Sequence, residues 1–215
     1  MNTIIGISGV AGVGKDTFFN LLNERVPCRR YSLADELKKE VNQWCRMHYG
    51  IDSQSCTRGQ KEAIRPFLVS HGALKRQASE GRYWIEKLND ALIKDKFNGF
   101  KIVTDIRYDE YENDEVGWLK NELNGILVHV SQFEYRRKEV WVPEGETGTL
   151  VKKFKEPANS EEARNDPIIK EKSDFQIEWE FIKNGQISEL NSYIDNFIEW
   201  LDHETAGRQH ANKEN

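Results

Sequence analysis

The sequence predicts a three-layer α/β fold with a central parallel sheet of about five strands, helices on both faces and a lid-like insertion late in the chain. Three observations carry that expectation. Short apolar, β-rich runs alternate with segments of helical period, the signature of a parallel sheet covered by helices. The first run leads directly into a glycine-rich loop and a helix, in "TIIGISGVAGVGKDTFFNLL" (3–22). A long stretch from 132 to about 173 carries no hydrophobic period, although 215 residues otherwise suit one domain.

The elements follow in order. "TIIGIS" (3–8) reads as a strand buried on both faces, and after Lys15 the residues Phe18, Phe19, Leu21, Leu22 and Val26 recur at helical spacing. "RRYSLA" (29–34) is a second strand, and "DELKKEVNQWCRMHYG" a helix starting at Asp35 and stopped by Gly50. Residues 51–82 are polar and then helical. "YWIEKLNDALIKD" (83–95) sets Trp84, Leu88, Ala91 and Leu92 on one face, for packing on the sheet. "FKIVTD" (100–105) and "GILVHVS" (125–131) are buried strands separated by a helical segment near 109–123. The region 132–173 reads either as a lid or as a disordered surface insertion. "DFQIEWE" (174–180) restores a strand, "NG" at 184–185 makes a turn, and "ISELNSYIDNFIEWL" (187–201) is a closing helix. Residues 202–215 are polar and read as a flexible tail.

Composition narrows the function classes. With 38% hydrophobic and 31% charged residues the chain can bury a core beneath a solvated surface. A formal charge of -5 argues against stable, sequence-independent gripping of nucleic acid but leaves room for small anions in a local positive pocket. No window approaches the ~18 apolar residues of a membrane span. Cys28, Cys45 and Cys56 are odd in number and lack CxxC spacing, and "MNTIIGISGV" lacks the basic flank of a secretory signal, so reduced thiols in a cytoplasmic protein are expected. His48, His71 and His129 show no zinc-ligand spacing.

The chemistry is concentrated in "GVAGVGKDT" (9–17). Gly9, Gly14 and Lys15 meet the G-x-x-x-x-G-K pattern, with Gly12 as a further flexible position. Such glycines let the backbone N–H groups of Val10, Ala11, Gly12 and Val13 curl around an anion, while the helix opening at Lys15 adds its positive end. Asp16 stands where a hydroxyl is usual, and the hydroxyl comes one residue later at Thr17. Two readings stand for Asp16: a holder of Mg²⁺ through water, or a first-turn acid favoured by the helix end.

The spacing GxxGxGKxT resembles nucleoside monophosphate kinases, and "GKDT" resembles the bacteriophage-type deoxynucleoside monophosphate kinases among them. Further segments agree in order: "SLADELKK" (32–39), "HGALKRQASEGRYWIEKL" (71–88), "VTDIRYDEYEND" (103–114), "NSEEARNDPIIKEKSDFQIEWE" (159–180) and "NGQISEL" (184–190). Asn159 departs from the pattern, standing where a histidine is common. The resemblance spans residues 3 to about 201 and implies a P-loop kinase fold as one domain, 1–201, with an acceptor-binding helical region about 33–95 and a lid about 132–173. The implied reaction uses ATP and Mg²⁺ to phosphorylate a deoxynucleoside monophosphate in the cytoplasm, the host's if the protein is viral. Kinases of dephospho-coenzyme A or phosphomevalonate share several features, a non-catalytic nucleotide-binding module is a further alternative, and dimerisation stays open.

Carried onto this chain, the resemblance implies roles for several further residues. Arg136 and Arg137, at the entrance to the lid, would join Lys15 and Arg107 around the transferred phosphoryl, with Arg164 at the lid's exit; otherwise the basic run is a solvated turn. Asp105 ends a buried strand at the edge where open sheets bind ligands, suiting it to a substrate group or to Mg²⁺ through water, with Asp16. Asp35 and Lys38 lie three apart on a helix, and Arg65, Arg76 and Arg82 are phosphate-binding candidates for the acceptor. Tyr83 or Trp84 could stack on a base, against a core role for Trp84.

Overall fold

The computed structural model describes residues 3–140, 147–182 and 186–211. The elements are β1 (Ile4–Ser8), α1 (Lys15–Asn23), β2 (Cys28–Tyr31), α2 (Leu33–Tyr49), α3 (Arg58–Ala78), α4 (Arg82–Lys94), β3 (Phe100–Val103) and α5 (Glu115–Gly117), which runs into a π turn over Trp118–Glu122. Then come β4 (Ile126–Val140), β5 (Thr147–Phe154), α6 (Ser160–Lys172), β6 (Phe175–Glu180), and a 3-10 turn (Ile187–Leu190) leading into α7 (Asn191–Ala211).

The sheet is mixed and six-stranded, in the order β2-β3-β1-β4-β5, with β6 also paired to β4. The five parallel strands β2, β3, β1, β4 and β6 coincide with the five stretches read as strands from the sequence, of which β1, β3 and the inner half of β4 are the apolar runs. β5 is an antiparallel addition. It pairs with residues 133–140 of β4, while β1 pairs with 126–129 and β6 with 128–133. Because β1 and β6 share partners on β4 they lie on opposite edges, and so do β5 and β6, which both pair with Phe133. β5 therefore takes over the edge of β4 where β1 ends, and the β4–β5 hairpin rises beside the loop that follows β1.

Alternation along the strands divides the core between two faces. Ile5 and Ile7 of β1, Val128 and Val130 of β4, and Ile177 and Trp179 of β6 pack with Phe18 and Leu22 of α1 and Ile194, Phe197 and Leu201 of α7. On the other face Val103 and Leu127 meet Ile85, Leu88 and Leu92 of α4, Trp118 and Leu119 beyond α5, and Ile169 of α6. Gly6 points to this second face, where a side chain would collide with Leu119 and Ile106. A small satellite core joins α2 and α3 through Val41, Cys45, Ile64 and Leu68.

Three expectations need revision. Residues 132–173 are not a disordered insertion where described: they form the outer half of β4, β5 and α6, with an irregular link at 155–159. The hairpin stands clear of the core, so its side chains carry no burial period, and α6 buries only Asn165 and Ile169. The helical segment near 109–123 begins only at Glu115, after Asp114 caps it. Residues 202–211 continue α7, where Arg208 bonds Glu204 and the Asn124 carbonyl at 2.8 Å, so they are not a loose tail. The turn expected at 184–185, residues 141–146 and residues 212–215 lie outside the described residues. Cys28, Cys45 and Cys56 are free, and among the described residues no helix is long and apolar enough to cross a membrane.

Candidate functional site

Residues 9–14 leave β1 at the carboxyl end of the parallel sheet, the edge where open α/β sheets place ligands. Gly9 has φ 126°, and a side chain on it would run into the Val130 carbonyl. Gly14 has φ 96° and caps α1 in the left-handed region with its Cα against the Trp179 ring, so both positions require glycine. Trp179 donates its indole N–H to the Val13 carbonyl at 2.8 Å, tying the loop to β6. Val10 and Val13 are buried, whereas Ala11 and Gly12 are exposed at the apex.

Lys15 turns its ammonium back into the loop, donating to the carbonyls of Gly9 and Val10, the latter at 3.0 Å. Burial is the main force lowering its pKa to about 8; Arg107 acts in the same sense, against the opposing charges of Glu162, Asp105 and Asp166. Those five groups mark the electrostatic centre of the site. Thr17 is half-buried in the first turn of α1, and Asp16 beside it is 83% exposed.

A chain of charges leads from the loop to α2. Arg30, at the end of β2, lies 4.0 Å from Asp16 and bonds Asp35 at 2.6 Å, while Lys38 bonds the other Asp35 oxygen at 2.7 Å. Partial burial works against it, but the bonds from Lys38 and Arg30 hold the Asp35 carboxyl below its ordinary range. Asp105 is buried and caps α2: one oxygen accepts from Ser32 Oγ at 2.8 Å and Ala34 N–H at 2.9 Å, the other from Leu33 N–H at 2.9 Å. It is a cap more than a free ligand, with one acceptor direction to spare.

Arg107, two residues on, is exposed, and its loop is held from beneath. Glu115, buried, accepts from the Arg107 N–H at 2.6 Å and the Tyr108 N–H at 3.2 Å. Burial pushes the Glu115 carboxyl up to about 8, with the Arg107 N–H bond opposing and the Asp114 and Asp105 charges assisting.

The hairpin enters at its base. Lys155, opposite Gln132, donates to the Gly12 carbonyl at 3.1 Å. Arg136 is four residues further along β4, about 13 Å out at strand rise, on the face shared by Gln132 and Lys155; it bonds Glu134 at 2.6 Å. Arg137 is on the opposite face with Phe133 and Tyr135. Neither arginine contacts the loop, and Lys155 holds that place.

Other candidates lie elsewhere. Trp84 is in the core, with its indole N–H on the Gly72 carbonyl at 3.2 Å, so it offers no free face for a base. Arg65 is exposed and bonded to Glu62 of its own helix at 2.8 Å. Arg82 reaches Glu122 and the Asn113 carbonyl. Arg76 is buried between the Tyr108 and Tyr111 rings and pairs with Glu110 and Asp114, which leaves little of its guanidinium for a phosphate. Arg164 also bonds Glu110. The residues missed from the sequence are Arg30, Lys155, Glu162 and Trp179; each reaches the loop through strand pairing or a long-range contact, which no local spacing encodes.

No protein-family model matches the chain, and no curated protein matches it significantly.

Proposed function

We propose that the protein transfers the γ-phosphoryl of ATP to a deoxynucleoside monophosphate, releasing ADP. The observation that carries the reading is the loop itself: glycines with positive φ after the central strand, an exposed apex, and a half-buried lysine ammonium folded among the loop carbonyls, with Arg107 and Lys155 beside it. That arrangement suits a polyphosphate, because N–H groups, a helix end and a desolvated cation converge on one spot. The deoxynucleotide acceptor rests on the resemblance of "GKDT" and the segments that follow it in order.

In this reading Lys15 leaves the loop carbonyls for the outer phosphate oxygens, where its charge opposes the charge developing on the moving phosphoryl. Arg107 supplies a second cation from the β3 side, held in place through its backbone by Glu115. Asp35, fixed by Arg30 and Lys38, faces the acceptor side of the loop helix. The hairpin base and α6 exclude water as they cover the apex. Mg²⁺ would supply further charge neutralisation on the phosphates. Among the described residues no three or more His, Cys, Asp or Glu side chains gather as a metal site. Exposed Asp16, and Asp105 with its one spare acceptor direction, are the residues that would hold a hydrated ion.

Calorimetric titration with ATP, followed by a screen of acceptors, tests the proposal. Stoichiometric binding with phosphorylation of at least one deoxynucleoside monophosphate is the expected result. Binding without turnover on any acceptor would make the chain a nucleotide-binding module, and turnover confined to a different small metabolite would replace the acceptor.

A further inference from the structure

The loop's own anion partner is a protein side chain. The exposed Ala11 N–H donates to Glu162 Oε2 at 3.2 Å, and the same oxygen accepts from the Ala158 N–H at 3.0 Å. Glu162 lies in the first turn of α6, its own N–H bonded to the capping Asn159 side chain at 2.9 Å. An acid at that position ordinarily reaches back to the N-cap amide. Here it reaches past it, across 151 residues of sequence, to the apex of the phosphate loop. Its charge also acts on Lys15.

A second contact ties the same segment to the loop: Lys155 donates to the Gly12 carbonyl at 3.1 Å. The stretch from Lys155 to Glu162 is thus strapped across the apex by a cation on a carbonyl and an anion on an N–H. The far end of the strap is held too, because Glu110 gathers Arg164 and Asn165 of α6 together with Arg76 of α3. The groups a phosphate would use are therefore engaged internally, the Ala11 N–H by Glu162 and the Lys15 ammonium by the Gly9 and Val10 carbonyls.

We propose that Glu162 is an internal anion of the phosphate loop that competes with the nucleotide's phosphates and sets the affinity of the site. This rests on the nucleotide reading above. A carboxylate on the loop must yield its N–H bond and stands as a like charge toward any polyphosphate, whereas a glutamine in its place keeps the size without the charge.

The test is titration of ATP, inorganic pyrophosphate and adenosine into the wild-type chain and into Glu162→Gln and Glu162→Asp, at pH 7 and fixed ionic strength, with folding of each variant checked by thermal unfolding. Glu162→Gln is expected to bind ATP and pyrophosphate roughly tenfold tighter, as loss of a close like charge implies, with adenosine unchanged. Glu162→Asp, one methylene short of Ala11, is expected to gain less, and it carries the test if the glutamine variant fails to fold. If wild type binds ATP and neither variant binds it more tightly, Glu162 is a structural strap and the competition is refuted while the nucleotide reading stands. If no protein binds ATP or pyrophosphate, the nucleotide reading fails and takes this inference with it.

Discussion

In the proposed transfer Lys15 is the residue on which the chemistry turns, and its environment gives that proposal a pH signature. Half-buried and beside Arg107, its ammonium is lowered to about 8 in the free protein, whereas an anion set against it favours the protonated form. If the site takes a nucleotide as proposed, binding must then take up a proton once the free lysine has lost its own. Affinity should be flat at pH 6–7 and fall by up to about tenfold per pH unit above pH 8, as read by calorimetry in buffers of different ionisation enthalpy. The same shift makes folding of the ligand-free chain gain from rising pH between about 8 and 10.5, because the unfolded lysine holds its proton longer. Asp16 answers to a different test. If it holds hydrated Mg²⁺, Asp16→Ser should raise the Mg²⁺ concentration needed for half-maximal turnover several-fold, whereas an unchanged requirement leaves it a first-turn acid. Lys15, Asp16 and the glycines were legible because their chemistry depends on neighbours in sequence. Arg30, Lys155 and Glu162 were not, since each approaches the loop only after strands far apart in the chain have paired.

At the scale of elements, two supports of the site make separate predictions. Trp179 of β6 both fills the core beside Phe18 and bonds the Val13 carbonyl. Trp179→Phe keeps most of the ring but leaves a buried carbonyl without its donor, a cost of about 1–3 kcal/mol, and should lower the melting temperature by several degrees while loosening nucleotide binding. Glu115, at the start of α5, clamps the Arg107 loop with a carboxyl raised to about 8 by burial. A carboxyl whose folded pKa lies above its unfolded value stabilises most below about 4.5 and loses that contribution as pH rises through 8. Glu115→Gln retains an oxygen for the two N–H groups without the ionisation, so its melting temperature should gain on wild type between about pH 4.5 and 8 and level off above; a constant difference across that range would contradict the buried carboxyl. The central parallel strands were readable because burial on both faces imposes continuous apolar runs, as in Ile4–Ser8 and Ile126–Val130, whereas β6 showed itself by its alternation of Phe175, Ile177 and Trp179 with polar residues. The hairpin was not, since Glu134, Arg136, Arg137, Leu150, Val151 and Lys153 carry no core-imposed alternation. In α6 the presence of Pro167 and a nearly all-polar sequence hid a helix held chiefly by its Asn159 cap, Asn165 and Ile169.

At the scale of the whole molecule, strand order explains why scattered residues form one site. The central position of β1 puts the glycine loop between β3, which delivers Asp105 and Arg107, and β4, whose hairpin delivers Lys155. A chain with net charge -5 thereby concentrates Lys15, Arg30, Arg107 and Lys155 around one sheet edge, and sets Asp35 and Glu162 against part of that charge. The core divides cleanly between the two faces, so the site sits on a rigid sheet while the parts that cover it, the hairpin and α6, are joined to the rest mainly by polar contacts. Whether this loop transfers phosphoryl groups to a deoxynucleotide is decided by the rate of ADP formation from Mg-ATP with each deoxynucleoside monophosphate, in wild type and in Lys15→Ala. Turnover should depend on at least one added monophosphate and fall by a factor of about a hundred or more in Lys15→Ala; ADP formation indifferent to every acceptor, or undiminished without Lys15, would rule the proposed transfer out.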